Sequence, residues 1–194
     1  MLSVNSVSKS YNLKTILQQV SFGLNPGERV GLVGPNGCGK TTLLKTVMGE
    51  LPSLKGVVRL GANVRVGYMD QEQTGLEPNL DALETIQDAG IANETSARSY
   101  LSLFLFKGDD VFTKVHDMSY GERARLMLAR LVAQGCNLLL LDEPVNHLDI
   151  SSRSRFEEAL LQFKGTLLAV IHDRYFIRQV ATGLPPKKRT QKMS

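Results

Sequence analysis

Apolar residues change their spacing along the chain, and the changes divide it into three stretches. In the first third, short apolar or alternating runs, "LSVNSVS", "TILQQVSFGL", "ERVGLVG", "GVVRLG" and "VRVGYMD", are separated by Gly, Pro and Asn, the pattern of strands joined by turns. From about residue 79 to residue 134 the spacing becomes helical. After Gly121, the residues Ala124, Met127, Leu128, Leu131 and Val132 share one face while Arg123, Arg125 and Arg130 fall elsewhere, which predicts an amphipathic helix. Two continuous apolar runs, "NLLLL" and "TLLAVI", then bracket a segment in which Phe156, Ala159, Leu160 and Phe163 mark another helical face. Apolar strands alternating with helices predict an α/β fold with a parallel sheet covered on both sides.

A length of 194 residues suits one domain, and 42% hydrophobic content is enough to bury a sizeable core. The net charge of +4 is carried entirely by Lys187, Lys188, Arg189 and Lys192 in "PPKKRTQKMS", so residues 1–184 are formally neutral. The folded body therefore has no basic bias toward nucleic acid. The tail at 183–194, with Pro185 and Pro186 ahead of its charges, is expected to be disordered. No stretch approaches the roughly 20 apolar residues of a membrane helix, and "MLSVNSVSKSYN" lacks the regions of a secretion signal. A soluble, cytoplasmic chain without membrane insertion is expected. Cys38 and Cys136 offer neither a disulfide framework nor a metal cluster.

Candidate chemistry begins after the run "ERVGLV". In "GPNGCGKTTLL", Gly34, Gly39, Lys40 and Thr41 satisfy G-x-x-x-x-G-K-[ST] in strand, loop, helix order. Glycines let the backbone wrap a polyphosphate so that N–H groups and the helix N-terminus face its charge. Lys40 is suited to neutralise the β- and γ-phosphates, and Thr41 to offer its hydroxyl to Mg²⁺. A Gly-rich turn alone explains the glycines but not Lys followed by Thr in register.

Two other segments have double readings when taken alone. In "MSYGERARLMLARLV", Ser119 and Glu122 form the S-x-x-E of a capping box. Gly121 in the first helical turn is costly, and suits close approach by an external anion instead. In "LLLLDEP", a buried strand could simply end in polar residues. Beside a phosphate loop, however, Asp142 fits a carboxylate near Mg²⁺ and Glu143 a group that polarises an attacking water, while Pro144 stops the strand.

Together these motifs resemble the nucleotide-binding domain of ATP-binding cassette (ABC) proteins over about residues 1–182. The resemblance implies a P-loop NTPase fold: a mixed sheet around the nucleotide core, an antiparallel β subdomain, and a helical subdomain at about 79–134. It places Tyr11 of "KSY" on adenine. Gly34, Pro35, Asn36, Gly37, Cys38, Gly39, Lys40, Thr41 and Thr42 fall around the phosphates. Gln71 of "GYMDQE" falls at Mg²⁺ and the attacking water. "MSYGE" looks like the signature usually written LSGGE, with Met118 and Tyr120 substituted. "VIHDRYF" places His172 at the γ-phosphate. The family sandwiches ATP between two cassettes, so Ser119, Gly121 and Glu122 would face a nucleotide held by a partner, and Asp149 is carried over to the nucleotide site as well. The implied reaction is ATP and water to ADP and phosphate, catalysed by Glu143, His172 and Gln71. Mg²⁺ would be held by Thr41, Gln71 and Asp142, and a homodimer or second cassette would be needed.

Within that family, "VNHLD" and "HDRYFI" are similar to the ABC-F group, soluble two-cassette proteins that act on ribosomes, in some cases protecting them from antibiotics. "RLGANVRVGYMDQE", "LFLFKGDDVF" and "SRSRFEEALLQFKGT" resemble the second cassette of such proteins. The chain has no room for a first cassette and linker, so a truncated copy and a genuine single-cassette protein both remain open. Two alternatives stand beside the ABC-F reading: the ATPase subunit of a membrane transporter, and a fragment that binds ATP without turning it over.

Overall fold

The computed structural model describes residues 1–11, 14–171 and 189–192. Strands β1 (Leu2–Tyr11), β2 (Lys14–Leu24) and β4 (Lys55–Leu60) form an antiparallel sheet in the order β2-β1-β4. Strands β3 (Arg29–Val33), β5 (Val66–Met69), β6 (Leu138–Asp142), β7 (Thr166–Val170) and β8 (Arg189–Lys192) form a second sheet in the order β5-β6-β7-β3-β8. All four pairings of this core sheet are parallel, rather than the mixed sheet the resemblance implies. The antiparallel pairings lie in the other sheet. Helices in the connections from β3 to β5, β5 to β6 and β6 to β7 accompany the return of the chain in the same direction.

Alternation along the buried strands divides the core into two layers. Leu139, Leu141, Leu167 and Ala169 face one apolar cluster, shared with helices α2 (Ala82–Asp88), α3 (Glu94–Ser102), α4 (Tyr120–Ala133) and α5 (Ile150–Leu160). Leu138, Leu140, Leu168 and Val170 face the other, shared with helix α1 (Lys40–Met48) and the inner faces of β1 and β2. The strands read as continuous hydrophobic runs because both of their faces are buried. Two short 3-10 turns, Gly108–Phe112 and Val115–Asp117, join α3 to α4.

Residues 189–192, inside the segment expected to be disordered, lie as β8 in register with Val30 to Val33 of β3. The free edge of a parallel sheet presents unpaired N–H and C=O groups, and these can take a strand whatever its side chains.

Candidate functional site

The phosphate loop closes between β3 and α1. Gly37 and Gly39 have φ of 77° and 98°, a region that side chains disfavour. A Cβ on Gly39 would also sit 2.7 Å from Ile16 Cγ2 and 3.1 Å from the Ile16 carbonyl, so β2 abuts the loop directly. The same β1–β2 hairpin carries Tyr11, 44% exposed, with the Lys9 ammonium 5.4 Å from its ring centroid. Lys40 is buried, and its Nζ donates to the carbonyls of Gly34 and Pro35 at 2.9 Å each. Helix α1 starts at Gly39 with no side-chain cap, whereas α2, α3, α4 and α5 are capped by Asp81, Asn93, Ser119 and Asp149. Among the described α-helices, α1 alone leaves its first-turn amides without a side-chain acceptor. Those amides and Lys40 make a site for an anion.

Strand β6 delivers the acids. Asp142 is 5% exposed; its Oδ2 accepts from the Tyr68 hydroxyl at 3.3 Å, and its Oδ1 is buried without a hydrogen-bond partner. Burial pushes its carboxyl above the ordinary carboxylate range, with Glu143 adding to the rise, while the Thr41 and Tyr68 hydroxyls and Lys40 oppose it. Burial and the facing Asp142 in turn push the Tyr68 phenol up. Glu143 follows with φ of 53°, a left-handed conformation unusual for a long side chain. Its amide donates to the Val170 carbonyl at 3.2 Å, and its Oε2 accepts from Asn146 Nδ2. The expected ligands Asp142, Thr41 and Gln71 would all offer oxygen, the hard donor type that Mg²⁺ takes. The orphaned Oδ1, on a carboxyl that the Thr41 hydroxyl also faces, is the feature that fits such an ion. Among the described residues no three His, Cys, Asp or Glu side chains gather as a metal cage.

The remaining site residues lie on other elements. Gln71, exposed in the loop after β5, places its Nε2 3.1 Å from His147 Nε2, and its carbonyl accepts from the Tyr120 hydroxyl. Ser119 and Glu122 are joined in a reciprocal capping box: the Ser119 amide and hydroxyl donate to Glu122 Oε2 at 2.8 and 2.6 Å. Burial pushes the Glu122 carboxyl up, but the Ser119 hydrogen bonds together with the charges of Arg125 and Arg155 outweigh it and the net direction is down. Gly121, expected to be bare for an external ligand, has a packing reason to be glycine as well. A Cβ on it would lie 2.7 Å from Ser152 Cβ and 2.8 Å from Ser152 Oγ, so packing of α4 on α5 already requires the glycine. Asp149 caps α5, accepting from Ser152 N at 2.9 Å and Oγ at 2.7 Å. Helix α4 packs in the layer opposite α1. His172 lies outside the described residues. Tyr68, Asn146 and His147 were not singled out as site residues from the sequence. Their neighbourhood, within two or four residues of Asp70, Glu143 or Asp149, was the available signal.

The sequence pattern of the ABC transporter family matches residues 17–146, more than half of the chain, and the chain belongs to that family. It is an ATP-binding cassette. It is 49% identical over 185 residues to YdiF of Bacillus subtilis, covering 94% of this chain and 29% of that protein. It is 38% identical to the energy-dependent translational throttle protein EttA of Mycobacterium tuberculosis, covering 94% of this chain and 34% of EttA. It is also 38% identical to the Uup-like ATP-binding protein of Haemophilus influenzae, covering 94% of this chain and 41% of that protein. The chain thus spans well under half the length of these curated relatives. Among solved structures, a dimeric post-hydrolysis state of the ATP-binding cassette MJ0796 bound to ADP and Pi superposes with a TM-score of 0.79 at 22% identity, covering 100% of this chain and 94% of that one. This likeness shows the fold: an ABC-type P-loop core with antiparallel β and helical portions. Among the described residues no helix is long and apolar enough to cross a membrane.

Proposed function

We propose that this chain is a cassette of the ABC-F type that binds ATP with Mg²⁺, hydrolyses it in a site completed by a second cassette, and acts on ribosomes. The observation that carries the ATPase reading is the buried Asp142 oxygen without a partner, set beside Lys40 and the open start of α1. The ribosomal assignment is supported by the 38% identity to EttA, named as a translational throttle, and by "NHLD" after the acids.

In this reading Lys40 exchanges the Gly34 and Pro35 carbonyls for phosphate oxygens, and the amides of residues 40–42 face the same charge. Asp142, Thr41 and Gln71 would hold Mg²⁺, Asp142 through its unpartnered Oδ1. When bound, the ion would supply positive charge against the charge that develops on the phosphates. Glu143, oriented by Asn146, polarises the attacking water. Tyr11 stacks on adenine, His172 reaches the γ-phosphate, and Ser119, Gly121, Glu122 and Asp149 face the nucleotide of the partner cassette.

Glu143→Gln is expected to lower turnover about 100-fold or more, the loss of a general base, while leaving ATP binding intact. Lys40→Ala is expected to abolish ATP binding, measured by fluorescent nucleotide titration; unchanged affinity would overturn the phosphate-loop assignment. The ribosomal part is tested by sedimenting the Glu143→Gln chain with ribosomes and ATP. Failure to co-sediment, or co-purification with a membrane protein instead, removes its support.

A further inference from the structure

We propose that Tyr120 is a positioning residue: with His147 it ties the loop carrying Gln71 to the front of helix α4 and fixes which end of the Gln71 amide is left free. The inference deepens the ATPase reading, since it rests on Gln71 being a nucleotide-site residue. Its basis is that residues 70–75 are held partly by their own bonds to Asp70, including that of the Gln73 amide, and partly by α4. Within the loop, Thr74 bonds back to Asp70 through its amide and hydroxyl. Against this, Gln73 has φ of 55° and is 5% exposed, with neither side-chain polar atom in hydrogen-bond geometry. Both features are unfavourable.

Contacts from α4 restrain both ends of the loop. The Tyr120 hydroxyl donates to the Gln71 carbonyl, and Arg130 Nη1 donates to the Gly75 carbonyl. Gly75 lies so close to α4 that a Cβ on it would meet Met127 Cε at 2.4 Å. Tyr120 is itself fixed, with the His147 ring edge-on at 5.5 Å and the Arg123 guanidinium 5.7 Å from its ring centroid. His147 then receives Gln71. With Gln71 Nε2 as donor, His147 Nε2 must be the acceptor, and the Gln71 Oε1 is the end left over. An amide oxygen is the atom a hard cation takes. A glycine, the residue usual at this point of the signature, could make none of the Tyr120 side-chain contacts. Movement of the front of α4 is therefore transmitted to Gln71 within one chain.

The test uses the full chain with Tyr120→Phe, which keeps the ring and loses the hydroxyl, together with Tyr120→Gly and His147→Leu. In the nucleotide-free state, amide hydrogen exchange over 70–75 is expected to accelerate about fivefold in Tyr120→Phe, the worth of one neutral hydrogen bond. It should accelerate further in Tyr120→Gly, with β6 and β7 unchanged. Unchanged exchange over 70–75 overturns the proposal, and so does acceleration spread evenly along the chain, which marks general destabilisation. In the turnover assay, the Mg²⁺ concentration for half-maximal rate should rise several-fold in Tyr120→Phe and His147→Leu while KM for ATP at saturating Mg²⁺ stays the same. A wild-type Mg²⁺ requirement in both variants overturns the positioning role. If the parent chain turns over no ATP, the ATPase reading falls, and the exchange measurement still decides the tie.

Discussion

At the scale of single residues, the site is held together by groups whose folded surroundings do not suit them. Asp142 is buried with one oxygen unpaired, and Glu143 adopts a left-handed backbone that a long side chain disfavours. Both are understandable if the favourable partner is a ligand. Asp142→Asn should therefore stabilise the nucleotide-free chain, by about 1–2 kcal/mol, the cost of a buried unpaired acceptor. The new amide can donate toward the Thr41 hydroxyl. The sign with pH follows from the direction of the shift. A carboxyl raised above its ordinary value of 3.8 penalises the fold fully above its folded pKa, and the penalty is gone below 3.8. Thermal denaturation should thus show the variant ahead at pH 7, with the gap closing toward pH 4. The same substitution should remove the upward Tm shift that Mg²⁺ with ATP gives the parent chain. A variant less stable than the parent at pH 7 would contradict the account of Asp142.

Elements were legible in the sequence to different depths. The strands and the helix after Gly121 follow directly from apolar spacing, because a face that must be buried has to be written in the residues that cover it. The phosphate loop was equally plain, since its backbone needs glycines at fixed offsets. Strand order was not legible: β7 lies between β3 and β6, and nothing local to any of the three says so. Strand β8 was missed because a polar edge strand is specified by the sheet it joins. Tyr120 and His147 were missed as a pair because they are 27 positions apart and meet only through packing. The packing role of Gly121 was missed for the same reason, its tight neighbour being Ser152 on another helix. That contact gives a test at this scale. Gly121→Ala should destabilise the chain by about 1–3 kcal/mol through overpacking, despite the better helix propensity of alanine. Adding Ser152→Gly, which removes the clashing atoms, should recover part of that loss. Thermal melts of the two single variants and the double variant would show additive losses if the helices do not press on each other there.

For the whole molecule, the decisive feature is the central sheet. Helix α1 and the phosphate loop pack on one face, and α4 with its capped N-terminus packs on the other. The phosphate site at Lys40 and the front of α4 thus belong to helices on opposite faces of that sheet. If the front of α4 contributes to hydrolysis, the proposed second cassette holds the nucleotide that it faces. Complementation distinguishes this from completion within one chain. Lys40→Ala removes the phosphate site and keeps α4 intact. Ser119→Glu keeps the phosphate site and sets a like charge against the phosphates of a partner. Each variant alone should be inactive. An equal mixture should regain roughly a quarter of the parent turnover, because random pairing of an isologous dimer makes half of the pairs mixed and each mixed pair holds one complete site of two. The recovered rate should also rise more steeply than linearly with protein concentration until pairing saturates. Inactive mixtures, at concentrations where the parent is active, would place the whole reaction within one chain and remove the role proposed for the front of α4.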